Sequence, residues 1–254
     1  DEQRRIVEKI DEVAAAVSAY DVAYQKTETL NSAFPEALKK SILQEAVQGK
    51  LVPQDPSDEP AEALLERIRA EKQRLIKEGK IKKDKHESVI FRRDNSHYEK
   101  RGSEEVCIDD EIPFDIPELW SWCRLNELCT KIGAGSTPTG GKTIYVPEGI
   151  KFIRSQNVYN DGLKLNDISY ITEEINAKKK GSIVRSKDIL LNITGGSIGR
   201  CAVVPDDFDI ANVNQHVMII RLVEPKMRHW IHTILISEYI QNLIMDVQVG
   251  VSRE

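Results

Sequence analysis

The stretch LKKSILQEAVQGKLVPQDPSDEPAEALLERIRAEKQRLIKEG, Leu38–Gly79, decides the fold class. Its two ends carry helical rhythm. Leu38, Ile42, Leu43, Ala46 and Val47 recur at helical spacing, and so do Ala61, Leu64, Leu65, Ile68, Leu75 and Ile76. Gly49 and Gly79 stand where a helix needs a residue tolerant of positive φ to close its last turn. Between them Pro53, Pro56 and Pro60 make a turn-rich connector. The pattern predicts one helix ending at Gly49 and another from about Glu59 to Glu78.

Upstream, Ile6, Ile10, Val13, Val17, Tyr20, Tyr24 and Thr27 step by alternating four and three residues. That is a heptad seam of about three repeats, the mark of a coiled coil. It ends near Asn31–Ser32, where Ser32 suits the cap of a new helix with Pro35 in its first turn. Residues 1–80 therefore read as a helical module. KIKKDKHE follows as a charged linker, and SVIFRRDNSHYEKR reads as a hairpin turning at Asp94–Asn95, so that 81–105 is a linker and hairpin.

From EIPFDIPELW onward the periodicity changes. IKFIRS, ISYI, GSIVR, DILLNIT, RCAVV and VNQHVMIIRLV read as strands, and one amphipathic helix from His229 to about Asp246 closes the unit. Residues 106–254 are thus expected to form a compact domain of strands and loops, and the whole chain to be α+β.

Composition narrows the function. The chain has 254 residues, a net charge of -5 and 41 acids against 36 lysines and arginines, so it is no uniformly basic nucleic-acid binder. The charge is uneven. Glu66–Arg101 holds thirteen bases against seven acids, Gly102–Asp115 six acids and no base, and KKKGSIVRSK (Lys178–Lys187) five bases and no acid. No apolar run approaches a membrane span. Cys107, Cys123, Cys129 and Cys201 form no C-x-x-C pair and read as reduced thiols of a cytoplasmic protein. The sequence starts at Asp1 with no signal peptide, as expected of a stretch inside a longer protein.

GAGSTPTGGKT, Gly133–Thr143, imitates a phosphate loop, but G-x-x-x-x-G-K-[ST] needs glycine at 136, where Ser stands. Pro138 removes an N–H, and IYVPEGIKF reads as turn and strand instead of a helix. No G-x-S-x-G elbow, H-E-x-x-H spacing or [ND]-P-P-[YFW] motif is present, so neither catalytic nor metal-ligating residues are expected.

Arg154, Gln156 and Asn157 in IRSQNVYNDG have the side chains that read base edges in pairs of hydrogen bonds, and equally those of a polar strand end. Asn214, Gln215 and His216 pose the same choice, with burial favoured by strand alternation. Lys178, Lys179 and Lys180 form either a solvated face or phosphate contacts. TGGSIGR, Thr194–Arg200, is a glycine-rich turn that would also bring Arg200 to a phosphate.

LKKSILQEAVQGKLVPQDPSDEPAEALLERIRAEKQRLIKEGKIKKDK closely resembles the central region of type I restriction–modification specificity subunits. DEQRRIVEKIDEV is similar to the start of their spacer helix. IPELWSWCRLNEL, the GSTP loop, GIKFIRSQNV, TGGSIGR and NQHV look like one of their target-recognition domains.

The resemblance implies a non-catalytic subunit that reads one half of a split site in double-stranded DNA. It implies long helices, packed antiparallel or as a coiled coil, that space the halves and dock methyltransferase subunits, with a motor nuclease subunit joining. S-adenosylmethionine, ATP and Mg would belong to those partners, and none of them to this chain. The implied DNA contacts are Arg154, Gln156 and Asn157 on bases, and Lys142, Lys178, Lys179, Lys180 and Arg200 on phosphates. A complete family member has two spacers and two target domains where this chain has one of each, which implies either a fragment or a half-subunit that dimerises through the 6–27 helix. The chain running on past Arg253–Glu254 toward another helix is part of the same expectation. The rival reading is a coiled-coil interaction scaffold that reads no DNA.

Overall fold

The computed structural model describes residues 1–84 and 87–251; Arg253–Glu254 lie outside them. The first helix, α1, runs unbroken over Glu2–Val47 with Pro35 inside it. The expected break at Ser32 does not occur. The Ser32 hydroxyl donates to the Thr29 carbonyl (2.9 Å) within the helix instead of capping a new one, and Pro35 forfeits only its own N–H bond to the preceding turn.

Because the helix continues, so does its apolar stripe, which extends past Thr27 to Phe34 and Leu38. Ile6, Ile10, Val13, Val17, Tyr20 and Tyr24 are all at least half exposed. Among the described residues, no other segment buries this stripe. At the far end the helix closes on Gly49 (φ +70°), where Gly49 N–H donates to the Ala46 carbonyl (3.0 Å) and Lys50 N–H to the Glu45 carbonyl (2.9 Å). A Cβ on Gly49 would meet the Pro117 ring at 2.4 Å, so this cap seats α1 on the strand domain.

The second helix, α2 (Ala61–Lys77), begins after Pro60 and ends before Gly79. Grouped with α1 on helical pattern alone, it packs elsewhere: Leu65 and Ile68 are buried in one core with Leu128, Ile189, Ile220, Ile231 and Leu235. Arg69 pairs with the buried Glu127 at 2.6 Å, and Lys72 donates to the Asn126 carbonyl at 2.9 Å.

Next come β1 (Val89–Arg93), β2 (Ser96–Arg101) and β3 (Glu104–Cys107), an antiparallel arm turning at Asp94–Asn95, both at positive φ. The arm crosses the 105/106 boundary expected from sequence.

The strand domain holds β4 (Cys129–Ala134), β5 (Ile150–Ile153), β6 (Val158–Tyr159), β7 (Gly162–Leu163), β8 (Ser169–Ile171), helix α3 (Glu173–Lys178), β9 (Ile183–Val184), β10 (Ile189–Asn192), β11 (Cys201–Val203), β12 (Ala211–Val213) and β13 (Val217–Leu222). One sheet has the order β11-β10-β13-β4 and is antiparallel. The other has the order β8-β5-β12-β9, with β5 and β12 parallel. VNQHVMIIRLV is therefore two strands in two sheets, not one. Arg221 on β13 pairs with the fully buried Asp188 through two 2.7 Å bonds and also donates to the Ile183 carbonyl (3.0 Å), tying the first sheet to β9 of the second.

Two helices close the chain where one was expected, α4 (Arg228–Leu235) and α5 (Glu238–Val251). The break falls at buried Ser237, whose hydroxyl donates back to the Ile234 carbonyl (2.6 Å). Cys123, Cys129 and Cys201 are packed thiols pushed up to about 12 by burial, while Cys107 is exposed.

The arm is anchored by Glu99 on β2, which is buried. It accepts from Arg124 (2.7 and 3.1 Å), Arg101 (2.7 Å) and Ser88 (2.6 Å). The Arg124 guanidinium, with Ser88 and Arg101, holds this carboxyl down at about 2, well below its ordinary 4.5. A carboxyl lowered in the folded state stabilises above its unfolded value and loses that contribution as pH falls toward the folded one. The Glu99 contribution should be complete above about pH 5 and fade between about 4.5 and about 2. Denaturant midpoints taken across pH should show Glu99→Gln less stable at neutrality by ~1–3 kcal/mol and without this part of the acid dependence.

Candidate nucleic-acid interface

The strand registers bring four loops to one edge of the domain. Ala134 of β4 and Asn192 of β10 lie beside the first residues of β13, and Leu191 of β10 lies opposite Cys201 of β11. Ile153 of β5 lies beside Val213 of β12, and β12 leads directly into β13. The loop after β4 (the GSTP loop), the loop after β5 (Arg154–Asn157), the β10–β11 turn (TGGSIGR) and the β12–β13 turn (Asn214–His216) therefore share a rim.

Contacts confirm the gathering. A Cβ on Gly135 would lie 1.9 Å from the Val213 carbonyl oxygen, so only glycine lets the first loop lie against the last. Gly135 N–H donates to the Val217 carbonyl (3.1 Å), Asn214 N–H to Ile153 (3.2 Å) and Ile193 N–H to His216 (3.0 Å). The buried Asn192 side chain donates to the Ser155 carbonyl (2.8 Å) and to the Ser197 hydroxyl (3.0 Å), joining the second loop to the third.

The basic segment is pinned to the same rim. Buried Asn212 donates to the Asn176 side chain (2.9 Å) and the Lys179 carbonyl (3.1 Å), and accepts from Ser182 (2.7 Å). Lys179 then reaches Ser136 of the GSTP loop at 2.6 Å.

The base readers expected from sequence separate here. Asn157 is 2% exposed; its oxygen accepts from Arg154 N–H (3.0 Å) and its nitrogen donates to the Lys164 carbonyl (2.9 Å). Both amide atoms close the local turn and the side chain is buried, so in this structure Asn157 faces the fold and not the solvent where a base would lie. Gln156 is exposed, and its nitrogen is held by Asp167 (3.1 Å). Arg154 is half buried, donates to the Asp167 carbonyl (3.3 Å) and sits 6.0 Å from the Tyr145 ring.

Among the expected phosphate contacts, Lys180 is exposed and Lys178 is paired with Glu174 one helical turn away (2.6 Å). Arg200 stacks on Tyr159 at 4.5 Å, with Lys164 at 4.2 Å from the same ring. Lys142 falls in the short 3-10 turn Gly141–Ile144; its side chain lies outside the described residues.

Strand alternation favours burial for some of Asn214, Gln215 and His216, and the structure buries Asn214, half-buries His216 and exposes Gln215. The Asn214 oxygen accepts from His216 N–H (3.1 Å), a turn that throws Gln215 outward into solvent. The signal was the A-N-V-N-Q-H-V break in alternation, legible only once β12 and β13 are known to lie in different sheets.

No family model matches the sequence. Among characterised proteins, 158 residues are 35% identical to the EcoAI type I restriction enzyme specificity subunit of Escherichia coli, covering 62% of this chain and 23% of that protein. A 103-residue stretch is 46% identical to the Escherichia coli EcoEI specificity subunit, 41% of this chain and 14% of that one. Over these stretches the chain is similar to type I restriction enzyme specificity subunits. It spans under a quarter of the length of these relatives. A solved HsdS subunit from Thermoanaerobacter tengcongensis aligns with 72% of the chain and 39% of its own length at 16% identity, with a TM-score of 0.39. No helix among the described residues is long and apolar enough to cross a membrane.

The two amides make opposite predictions for stability. Asn157→Ala should cost ~1–3 kcal/mol, because two buried backbone partners lose their bonds. Gln156→Ala should stay within ~0.5 kcal/mol of the parent. Urea titration of both variants checks this, and equal small losses would restore Asn157 as a surface residue.

Proposed function

We propose that this chain is the DNA-reading and assembly portion of a type I specificity subunit. The rim reads one half of a bipartite duplex target, and α1 spaces and docks the rest of the complex. The observation that carries the proposal is electrostatic. The loops Gly135–Thr143, Arg154–Asn157, Thr194–Arg200 and Asn214–His216 come from four distant places, yet they contain Lys142, Arg154 and Arg200 and not one Asp or Glu, in a chain where 41 of 254 residues are acids. A surface that meets a phosphate backbone gains from shedding carboxylates locally while the rest of the molecule keeps its net negative charge. The same loops are rich in Gln, Asn, Thr, Ser and His, whose donors and acceptors match base edges.

The chain itself performs no chemistry in this reading. The methyltransferase subunits bring S-adenosylmethionine, the motor nuclease brings ATP and Mg, and all work in the cytoplasm. The exposed seam of α1 takes a second helix, since an apolar stripe of this length is unstable facing water. In a longer polypeptide that helix is the other spacer. For these 254 residues alone it is α1 of a second copy, packed antiparallel about a two-fold axis, which makes the recognised site symmetric. The scaffold alternative uses the same seam but leaves the lack of acids in these four loops without a purpose.

With the methyltransferase-bound protein, duplex affinity should fall steeply with salt. Lys180→Ala should weaken cognate and random duplex alike and flatten the log–log slope by about one. Affinity indifferent to salt and to duplex sequence contradicts the proposal. For the seam, light scattering of the 254-residue chain should give a dimer that Ile10→Asp disrupts by burying an unpaired charge; a monomer at tens of micromolar refutes the pairing.

A further inference from the structure

Thr137, Gln215, His216 and Thr194 come from three of the rim loops and form one chain of side-chain hydrogen bonds. The Thr137 hydroxyl is bonded to the Gln215 amide oxygen. The Gln215 nitrogen lies 3.1 Å from His216 Nε2, and His216 Nδ1 lies 2.5 Å from the Thr194 hydroxyl. Thr137, Gln215 and Thr194 are exposed, and His216 is half-buried. The geometry points to Gln215 as a base-reading side chain, pre-oriented by Thr137, His216 and Thr194, that recognises an adenine in the major groove. This inference rests on the rim being the DNA interface.

Hydrogen-bond capacity carries it. An amide has two acceptor lone pairs and two N–H donors. The chain of bonds uses one of each: the amide oxygen accepts from Thr137 and the amide nitrogen donates to His216 Nε2. One lone pair and one N–H of this exposed side chain remain. That pair is complementary to the N6 donor and N7 acceptor which adenine shows in the major groove.

The setting makes the match effective. A free glutamine would lose rotamer freedom on binding, whereas here both ends of the amide are already held. The backbone beneath it is held as well. Asn214 closes the turn from inside, and Gly135 packs against the Val213 carbonyl with no room for a side chain. The contrast with Asn157 is burial: each amide makes one bond per atom, but Asn157 is enclosed by the fold and Gln215 is exposed.

The test selects bound duplexes from a random library with the methyltransferase-bound protein, as parent, Gln215→Ala and Gln215→Glu. The parent should enrich a sequence motif. Gln215→Ala should lose preference at one A·T position by about 5- to 150-fold while the other positions keep theirs. Gln215→Glu, which offers only acceptors, should move that position toward cytosine, whose N4 group donates. Replacing the adenine by 7-deazaadenine should cost the parent affinity and leave Gln215→Ala unaffected. A motif unchanged in both variants, or a loss spread evenly over all positions, overturns the role of Gln215. A parent that enriches no motif is a different failure: it removes the DNA-reading proposal beneath it.

Discussion

The chain crosses from one sheet to the other in three residues, Asn214–His216, and the rim is built on that crossing. Leaving β12 and entering β13 without a longer connection forces a tight turn with buried polar backbone, and buried N–H and C=O groups need partners. Asn214 supplies one with its side chain, Ile153 another with its carbonyl, and Gly135 lies close enough to satisfy Val217. Ile153 ends β5 just before the Arg154 loop, and Gly135 belongs to the GSTP loop. Satisfying the crossing therefore draws the GSTP loop and the Arg154 loop to the same edge, and His216 brings in the β10–β11 turn through Ile193 and Thr194. The rim is the by-product of hydrogen-bond accounting at one place in the core.

A second set of buried polar groups holds this edge rigid. Asn192, Asn212 and Asp188 are essentially inaccessible, and each binds segments far apart in sequence. Asn212 pins the lysine segment, Asn192 pins the glycine-rich turn, and Asp188 pins Arg221 across the sheets. Such groups are costly if left unpaired, so they favour one arrangement over near alternatives. The side chains facing solvent then inherit a fixed frame, which is what recognition by paired hydrogen bonds requires.

Local chemistry was legible in the sequence where it acts alone. Gly49 and Gly79 closed their helices, Asp94–Asn95 turned its hairpin, and IKFIRS, ISYI and DILLNIT became strands. Errors arose where a distant partner decides. Ser32 and Pro35 look like a helix start, yet the helix passes through them because each costs it at most one bond. Ser237 gives no sign in sequence of splitting α4 from α5. Arg154, Gln156 and Asn157 look alike as a polar cluster, and only the turn that Asn157 closes onto Lys164 separates the buried amide from the exposed one. Gln215 was hidden for the opposite reason: strand alternation describes one strand, and here it ran across two.

The central claim is that duplex DNA lies along this rim. Photo-crosslinking tests it most directly, with a benzophenone side chain placed in turn at Gln156, at Gln215 and at Asp207, an exposed residue after β11 at the opposite ends of the strands. In the methyltransferase-bound protein, the first two positions should attach to duplex DNA and Asp207 should not. Equal labelling from all three, or labelling from Asp207 alone, would contradict the account.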